Sequence, residues 1–140
     1  MKRLLLVSIL ASTLFVFATP TSTAVGTGTI VNDAFTIAAG QFVAYPIEVH
    51  PRGGRVFGKF RAQGGGHSDI ECFIVDEDGL ENFGTGHSVP TYYNSGRVTV
   101  ATINVVLREG RYFLVFNNKY SIITPKAVAA SIYIKLPTDG

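Results

Sequence analysis

Hydrophobic and polar residues alternate in two runs near the C-terminal end of the chain. In the first run, Tyr112, Leu114 and Phe116 share one face. In the second run the apolar residues again occupy every second position, and they are Val128, Ala130, Ile132, Ile134 and Leu136. A period of two predicts half-buried β-strands. The loop between them, residues 117–125, is too long for a tight hairpin, so we expect the two strands to join different sheets.

The same alternation recurs earlier in the chain, between turns rich in glycine and proline. It predicts further strands over residues 34–37, 41–49, 55–63, 70–75 and 98–107. No segment has a convincing amphipathic helical pattern. About seven or eight short strands with such turns predict an all-β fold, an antiparallel β-sandwich of jelly-roll type.

Three local features refine the predicted strands. Pro46 cannot donate a hydrogen bond to a neighbouring strand, so its strand is expected at a sheet edge or at a bulge. The Asp-Glu-Asp-Gly sequence at residues 76–79 is typical of a hairpin turn, which would lead into a return strand over residues 80–83. Within residues 98–107 the apolar residues switch from even-numbered to odd-numbered positions near Thr102, which indicates a β-bulge.

The first 24 residues have the pattern of a secretory signal peptide. Lys2 and Arg3 precede an apolar segment over residues 4–18, and a small, polar segment then ends in Ser-Thr-Ala at residue 24. The apolar segment would span about 22 Å as a helix, less than the ~30 Å hydrocarbon core, which favours cleavage over retention as a membrane anchor. We therefore expect a mature single domain over residues 25–140, secreted or delivered to a periplasm or lumen.

The charge of the mature chain narrows the classes of partner. The full chain of 140 residues has 12 basic and 10 acidic residues, and removal of Lys2 and Arg3 leaves equal numbers of the two. A net charge of zero predicts no basic field that would concentrate nucleic acid or anionic lipid. The mature chain has no second apolar segment long enough to span a membrane, and we expect a monomer or a weak oligomer.

Residues with catalytic or metal-binding chemistry do not occur in the patterns that such chemistry requires. Cys72 lies on a predicted core face, which favours a buried, inert thiol, with an intermolecular disulfide as the alternative. His50, His67 and His87 lie in separate loops without the short spacing of a zinc site. The acidic segment 76–78 could give calcium two oxygen ligands, with a solvated turn as the alternative. Because no Gly-x-Ser-x-Gly motif occurs, we expect no enzyme and no cofactor.

The longest predicted irregular segment, residues 84–96, is the candidate binding surface. It holds His87, Tyr92 and Tyr93 among small and polar residues. Tyrosines supply contact area at low entropic cost, and the strand faces are expected to be used for packing, so recognition should lie on loops. We predict that His87, Tyr92 and Tyr93 line a contact surface. Packing of one tyrosine over the end of the sandwich is the alternative.

The residues of the C-terminal stretch also carry a family resemblance. They are Gly110, Tyr112, Phe116, Asn118, Ser121, Lys126 and Val128. In this order they resemble the C-terminal signature of the GOLD (Golgi dynamics) domain, the lumenal β-sandwich of vesicle cargo receptors, and residues 35–40 and 69–79 resemble its earlier strands. The resemblance implies a module for protein recognition with no chemistry of its own. The cysteine pair, coiled coil and membrane span of cargo receptors have no counterpart here, so their trafficking role is not implied.

The signature residues are expected to have structural roles. The side chains of Asn118 and Ser121 should bond the loop backbone. Lys126 should lay its stem along the sandwich and keep its ammonium group in water. We therefore expect a secreted, non-enzymatic module for protein recognition. A carbohydrate- or calcium-dependent binding domain of jelly-roll type is the alternative, and a small secreted hydrolase is a third possibility.

Overall fold

The computed structural model describes residues 26–63 and 68–137. The predicted signal peptide and its cleavage site lie outside these ranges. Within them the chain forms eight strands and one helix. The elements are β1 (Thr27–Ile37), β2 (Phe42–Val49), β3 (Gly54–Gln63), β4 (Ile70–Asp76), α1 (Glu77–Gly84), β5 (Tyr93–Val98), β6 (Val100–Leu107), β7 (Gly110–Asn117) and β8 (Lys126–Lys135).

The strands form two antiparallel sheets that pack face to face. The first sheet has the order β1-β8-β3-β6, and the second has the order β2-β7-β4-β5. This confirms the predicted antiparallel β-sandwich. Strands β7 and β8 lie in different sheets, as the length of the loop between them predicted. Strand β2, which contains Pro46, is an edge strand, which also confirms the prediction.

Phe116 lies at the centre of the core between the sheets. Its ring centroid is 5.3 Å from that of Phe35, 5.4 Å from that of Phe60 and 6.2 Å from that of Tyr45, all in edge-to-face contacts. Such contacts stabilise a core beyond the effect of area burial alone. Cys72 is fully buried in the same cluster, and burial raises the pKa of its thiol. The predicted buried thiol is confirmed.

Residues 77–84 form a helix where the sequence predicted a hairpin turn and a return strand. Asp76 is the N-cap of α1, because its Oδ1 accepts a hydrogen bond from the Gly79 N–H at 2.7 Å. Glu77 and Asp78 follow in the first turn, where the helix dipole favours negative charge. Aspartate and glycine are common in turns as well as at helix N-termini. The prediction of a turn was wrong for that reason.

Helix α1 covers the outer face of the second sheet. Its residue Phe83 packs against Phe73, with ring centroids 4.9 Å apart, in a cluster that also contains Val75 and Val115. Strands β4 and β7 are therefore buried on both faces. The outer face of the first sheet carries exposed side chains instead. In the described ranges no helix is both long enough and apolar enough to cross a bilayer.

The predicted long strand with a bulge is in fact two strands in different sheets. Strand β5 ends at Val98 in the second sheet, and β6 begins at Val100 in the first. The apolar residues change sides because the chain passes at the exposed Thr99 from the edge of one sheet to the edge of the other and then faces the core from the opposite side. The predicted bulge near Thr102 is therefore wrong. Strand β5 begins at Tyr93, inside the segment that was predicted to be irregular.

Candidate functional site

Tyr92 and Tyr93, predicted to share one contact surface, have different surroundings. Tyr93 is half-buried against the core between the sheets, and burial raises its pKa to about 12. Tyr92 is 49% exposed; its ring lies 5.0 Å from that of Tyr112, and its hydroxyl donates to Asp76 Oδ2 at 3.3 Å. Tyr93 therefore fits the alternative interpretation, in which one tyrosine is used for packing.

The other sequence candidates that the structure describes are not gathered into a metal site. His87 is exposed after α1, His50 is exposed in the turn between β2 and β3, and His67 lies outside the described residues. In the part of the chain that the structure describes, no group of three or more His, Cys, Asp or Glu side chains is placed to hold a metal ion. Asp76, a candidate calcium ligand, caps α1 with one oxygen and accepts the Tyr92 hydroxyl with the other.

Three signature residues shape strand β7. Gly110 begins the strand with φ 153°, a conformation that favours glycine. The Tyr112 hydroxyl donates to the Arg108 carbonyl at 3.0 Å and so closes the turn that precedes the strand. Phe116 is fully buried in the core. The contacts of Tyr112 and Phe116 are internal to the sandwich, and Gly110 sets the backbone conformation, so these residues are structural.

Asn118 is fully buried and joins the end of β1 to the loop before β8. Its Nδ2 donates to the carbonyl oxygens of Ile37 at 3.2 Å, Ala38 at 3.2 Å and Thr124 at 2.9 Å. The prediction that Asn118 bonds loop backbone is confirmed. The side chain of Ser121 differs from the prediction, because its hydroxyl donates to Asn118 Oδ1 at 2.6 Å rather than to a backbone group.

Lys126 is buried, although the sequence predicted an ammonium group in water. Its side chain is 3% exposed, and Nζ donates to the side-chain Oδ1 of Asp69 at 2.6 Å and to its backbone carbonyl at 2.7 Å. The register pairs Lys126 with Ile37, so it lies on the inner face with Val128. The prediction was wrong because an inward lysine at a strand end can reach a carboxylate instead of water. The alternation along β8 shows in the sequence that Lys126 shares a face with Val128. It does not show that Asp69, 57 residues away, is the partner of Lys126.

The outer face of the first sheet gathers residues to which the sequence analysis assigned no role. Directly opposed residues of antiparallel strands share a face of the sheet. Phe57 of β3 is paired with Asn104 of β6 on one side and with Tyr133 of β8 on the other. Arg55 and Lys59 face outward two residues before and after Phe57. The expectation that strand faces are used only for packing is therefore wrong for this sheet.

Four basic residues are exposed on this face, and they are Arg55, Lys59, Arg61 and Lys135. We call these four, with Phe57 and Tyr133, the basic face. None of the outward positions that the register assigns to the described strands of this sheet holds Asp or Glu. Helix α1, on the opposite side of the sandwich, carries three acidic residues. The mature chain has a net charge of zero, but its basic and acidic residues are concentrated on opposite sides of the sandwich. The prediction of no basic field was based on the net charge alone and did not include this separation.

Two aromatic rings form the floor of the basic face. The centroids of Phe57 and Tyr133 are 5.8 Å apart, and their planes are inclined by 37°. Both side chains are half-buried and line a shallow, open groove of about 760 Å³ together with Arg55, Lys59 and Lys135. Arg55 is held by Asn104, whose Oδ1 accepts a hydrogen bond from Arg55 Nη1 at 2.7 Å. The face therefore combines oriented positive charge with exposed aromatic surface.

In the sequence, this site is indicated by the alternation of residue types along β3 and β8. Phe57, Lys59 and Arg61 alternate with the core residues of β3, and Tyr133 and Lys135 alternate with those of β8. What the sequence does not reveal is that the two strands are neighbours in this register. Comparison with known proteins adds no assignment: the chain matches no protein-family model and no curated protein.

Proposed function

We propose that the chain is an extracytoplasmic, non-enzymatic recognition module whose basic face binds an acidic segment of a partner protein. The observation that carries the proposal is that four cations and a pair of aromatic rings share one exposed sheet face with no acid. Cationic side chains form strong hydrogen bonds with carboxylates, and aromatic rings supply contact area that excludes water from those bonds. Such charge complementarity gives specificity and speeds association.

The spacing of the cations suits an extended peptide. Arg55, Phe57 and Lys59 face outward at every second residue of β3, so neighbouring side chains are about 6.6 Å apart. An extended ligand has the same repeat. Two acidic side chains on either side of an aromatic residue would therefore meet Arg55 and Lys59 together. The Arg55 guanidinium suits a carboxylate because its planar fork can donate two parallel hydrogen bonds.

A polysaccharide that carries carboxylate or sulfate groups is the second candidate ligand. The Phe57–Tyr133 pair favours it, because aromatic faces also stack on the apolar faces of sugar rings. The open groove would admit a polymer that continues past both ends. The calcium-dependent alternative lacks comparable support, since Asp76 is already engaged by α1 and Tyr92.

The resemblance to the GOLD domain supplies the family hypothesis that accompanies this proposal. The buried roles of Asn118 and Phe116 suit a structural signature, and protein recognition is the use that the resemblance implies. The predicted signal peptide supports an extracytoplasmic location. Together these features favour a protein segment over a polysaccharide as the ligand.

Export should remove the first 24 residues, because the segment ends in small residues that suit signal peptidase. When the full chain is expressed with an export pathway, the intact mass of the exported protein is expected to begin at Val25. An exported protein whose mass still includes Met1–Ala24 would contradict delivery by cleavage.

Binding of an acidic peptide should depend on Lys59. The probe is a labelled peptide of repeating Glu-Thr-Tyr-Thr units, followed by fluorescence anisotropy as the mature chain is added. Lys59→Glu should weaken binding at least tenfold, about 1.4 kcal/mol, because repulsion replaces attraction. Added salt should also weaken binding, since exposed charges are screened. The matched control is Lys119→Glu, the same charge change at an exposed lysine outside the basic face, and it should bind like the unmodified protein.

Three results would count against this assignment. Equal binding by Lys59→Glu and the unmodified protein would remove the basic face as the site. An equal loss with Lys119→Glu would indicate a response to net charge alone. Tighter binding to a sulfated polysaccharide than to the peptide, with the same loss in Lys59→Glu, would replace the protein segment by the second candidate.

A further inference from the structure

The loop between β7 and β8 presents two adjacent isoleucines to solvent. Ile122 is 93% exposed and Ile123 is 83% exposed, more than any other large hydrophobic side chain in the described residues. Isolated exposed apolar residues are ordinary, whereas contiguous exposed apolar surface is a feature of protein and membrane contact sites. We call this pair the isoleucine tip.

The loop beneath the isoleucine tip is held by hydrogen bonds on both sides. Asn118 donates to the Thr124 carbonyl across the base of the loop and accepts the Ser121 hydroxyl. The Tyr120 hydroxyl donates to the Asp69 carbonyl at 3.0 Å. Because the flanking residues are fixed in this way, the exposure of the isoleucines is built into the loop. A partner would therefore bind the tip at little cost in conformational entropy.

The size and surroundings of the tip favour a bilayer over a protein partner. A stable protein interface buries at least about 1,000 Å², while this patch is two side chains flanked by the polar residues Ser121 and Thr124. A bilayer requires only that the protruding side chains enter the hydrocarbon while their polar neighbours stay among the headgroups. The loop contains no acidic residue, and its exposed Lys119 would be compatible with anionic headgroups.

We propose that the isoleucine tip inserts into the surface of a lipid bilayer and holds the domain there reversibly. Two isoleucine side chains bury less hydrocarbon than one myristoyl chain, which alone gives only marginal and reversible membrane binding. The loop joins strand ends, so the sandwich would stand on its end with the faces of both sheets clear of the lipid. This inference goes beyond the proposed function, because it assigns a second ligand, lipid, to a different part of the molecule.

Co-sedimentation with vesicles tests the proposal. The folded mature chain is mixed with sucrose-loaded vesicles, either of phosphatidylcholine alone or with added phosphatidylglycerol. The double substitution Ile122→Ser with Ile123→Ser should lower the bound fraction at least fivefold in both vesicle types and leave the melting temperature unchanged. The matched control is Val100→Ser with Val106→Ser, which removes two exposed branched side chains from the outer face of the first sheet. It should sediment like the unmodified protein.

The outcomes separate the tip from the basic face. The isoleucine variant should still bind the acidic peptide, so the proposal for the tip and the proposal for the basic face are tested independently. The proposal is overturned if the unmodified protein sediments with neither vesicle type, or if the isoleucine and valine variants lose equal amounts of binding. Binding to anionic vesicles alone, lost in Lys59→Glu but kept in the isoleucine variant, would also overturn it.

Discussion

Replacing Asn118 by alanine should lower the free energy of unfolding by about 2 kcal/mol or more, since a buried polar group left without a partner costs about 1–3 kcal/mol. The Asn118 amide serves three carbonyl groups, those of Ile37, Ala38 and Thr124, from a fully buried position. An alanine at this position serves none of them, although the Ala38 carbonyl keeps a hydrogen bond from the Gln41 N–H. Equilibrium denaturation in urea gives the free energy directly.

The control for Asn118 is Ser121→Ala. It removes the hydroxyl that donates to Asn118 Oδ1 and leaves the three bonds to the carbonyls in place. We expect a loss of about 1 kcal/mol or less, the usual net contribution of one hydrogen bond. If Asn118→Ala proves no more destabilising than Ser121→Ala, Asn118 does not hold β1 to the loop.

Replacing Asp69 by alanine should cost about 3–5 kcal/mol, the usual penalty for removing one member of a buried ion pair. The partner left behind is the Lys126 ammonium, whose side chain is 3% exposed. It would keep its bond to the carbonyl of residue 69, but its carboxylate would be gone. The same denaturation experiment at neutral pH measures the loss.

The two members of this ion pair should differ in their effects. The Asp69 side chain is 29% exposed, so its carboxylate can be hydrated when the lysine is absent. Lys126→Met keeps most of the apolar stem and should therefore cost no more than about 2 kcal/mol. A larger loss with Lys126→Met than with Asp69→Ala would contradict the assignment of Lys126 as the buried member.

The alternation of apolar and polar residues was enough to predict the sandwich, because it distinguishes the buried side of a strand from the exposed side wherever one face of the sheet contacts solvent. It worked for β3 and β8, whose outer faces are exposed. It failed at α1, which is short and begins with an acidic sequence that suits a turn equally well. It also failed at Thr99, because a change of sheet and a bulge both reverse the parity of a strand.

The candidate site was harder to predict because it depends on contacts between distant segments. Phe57 and Tyr133 become neighbours only through the register of β3 with β8. The three residues chosen from the sequence, His87, Tyr92 and Tyr93, were selected by residue type in a segment predicted to be a loop. Part of that segment is strand β5, which turns Tyr93 toward the core.

Mapping of amide chemical shifts tests the basic face most directly. A ¹H–¹⁵N spectrum of the mature chain is followed as the Glu-Thr-Tyr-Thr peptide is added. We expect the shifts that change to lie in residues 55–61 of β3 and residues 131–135 of β8, with α1 unaffected. Changes centred on residues 84–93, which include His87 and Tyr92, with none on β3, would contradict binding at the basic face and would indicate that the peptide binds the segment that contains His87 and Tyr92.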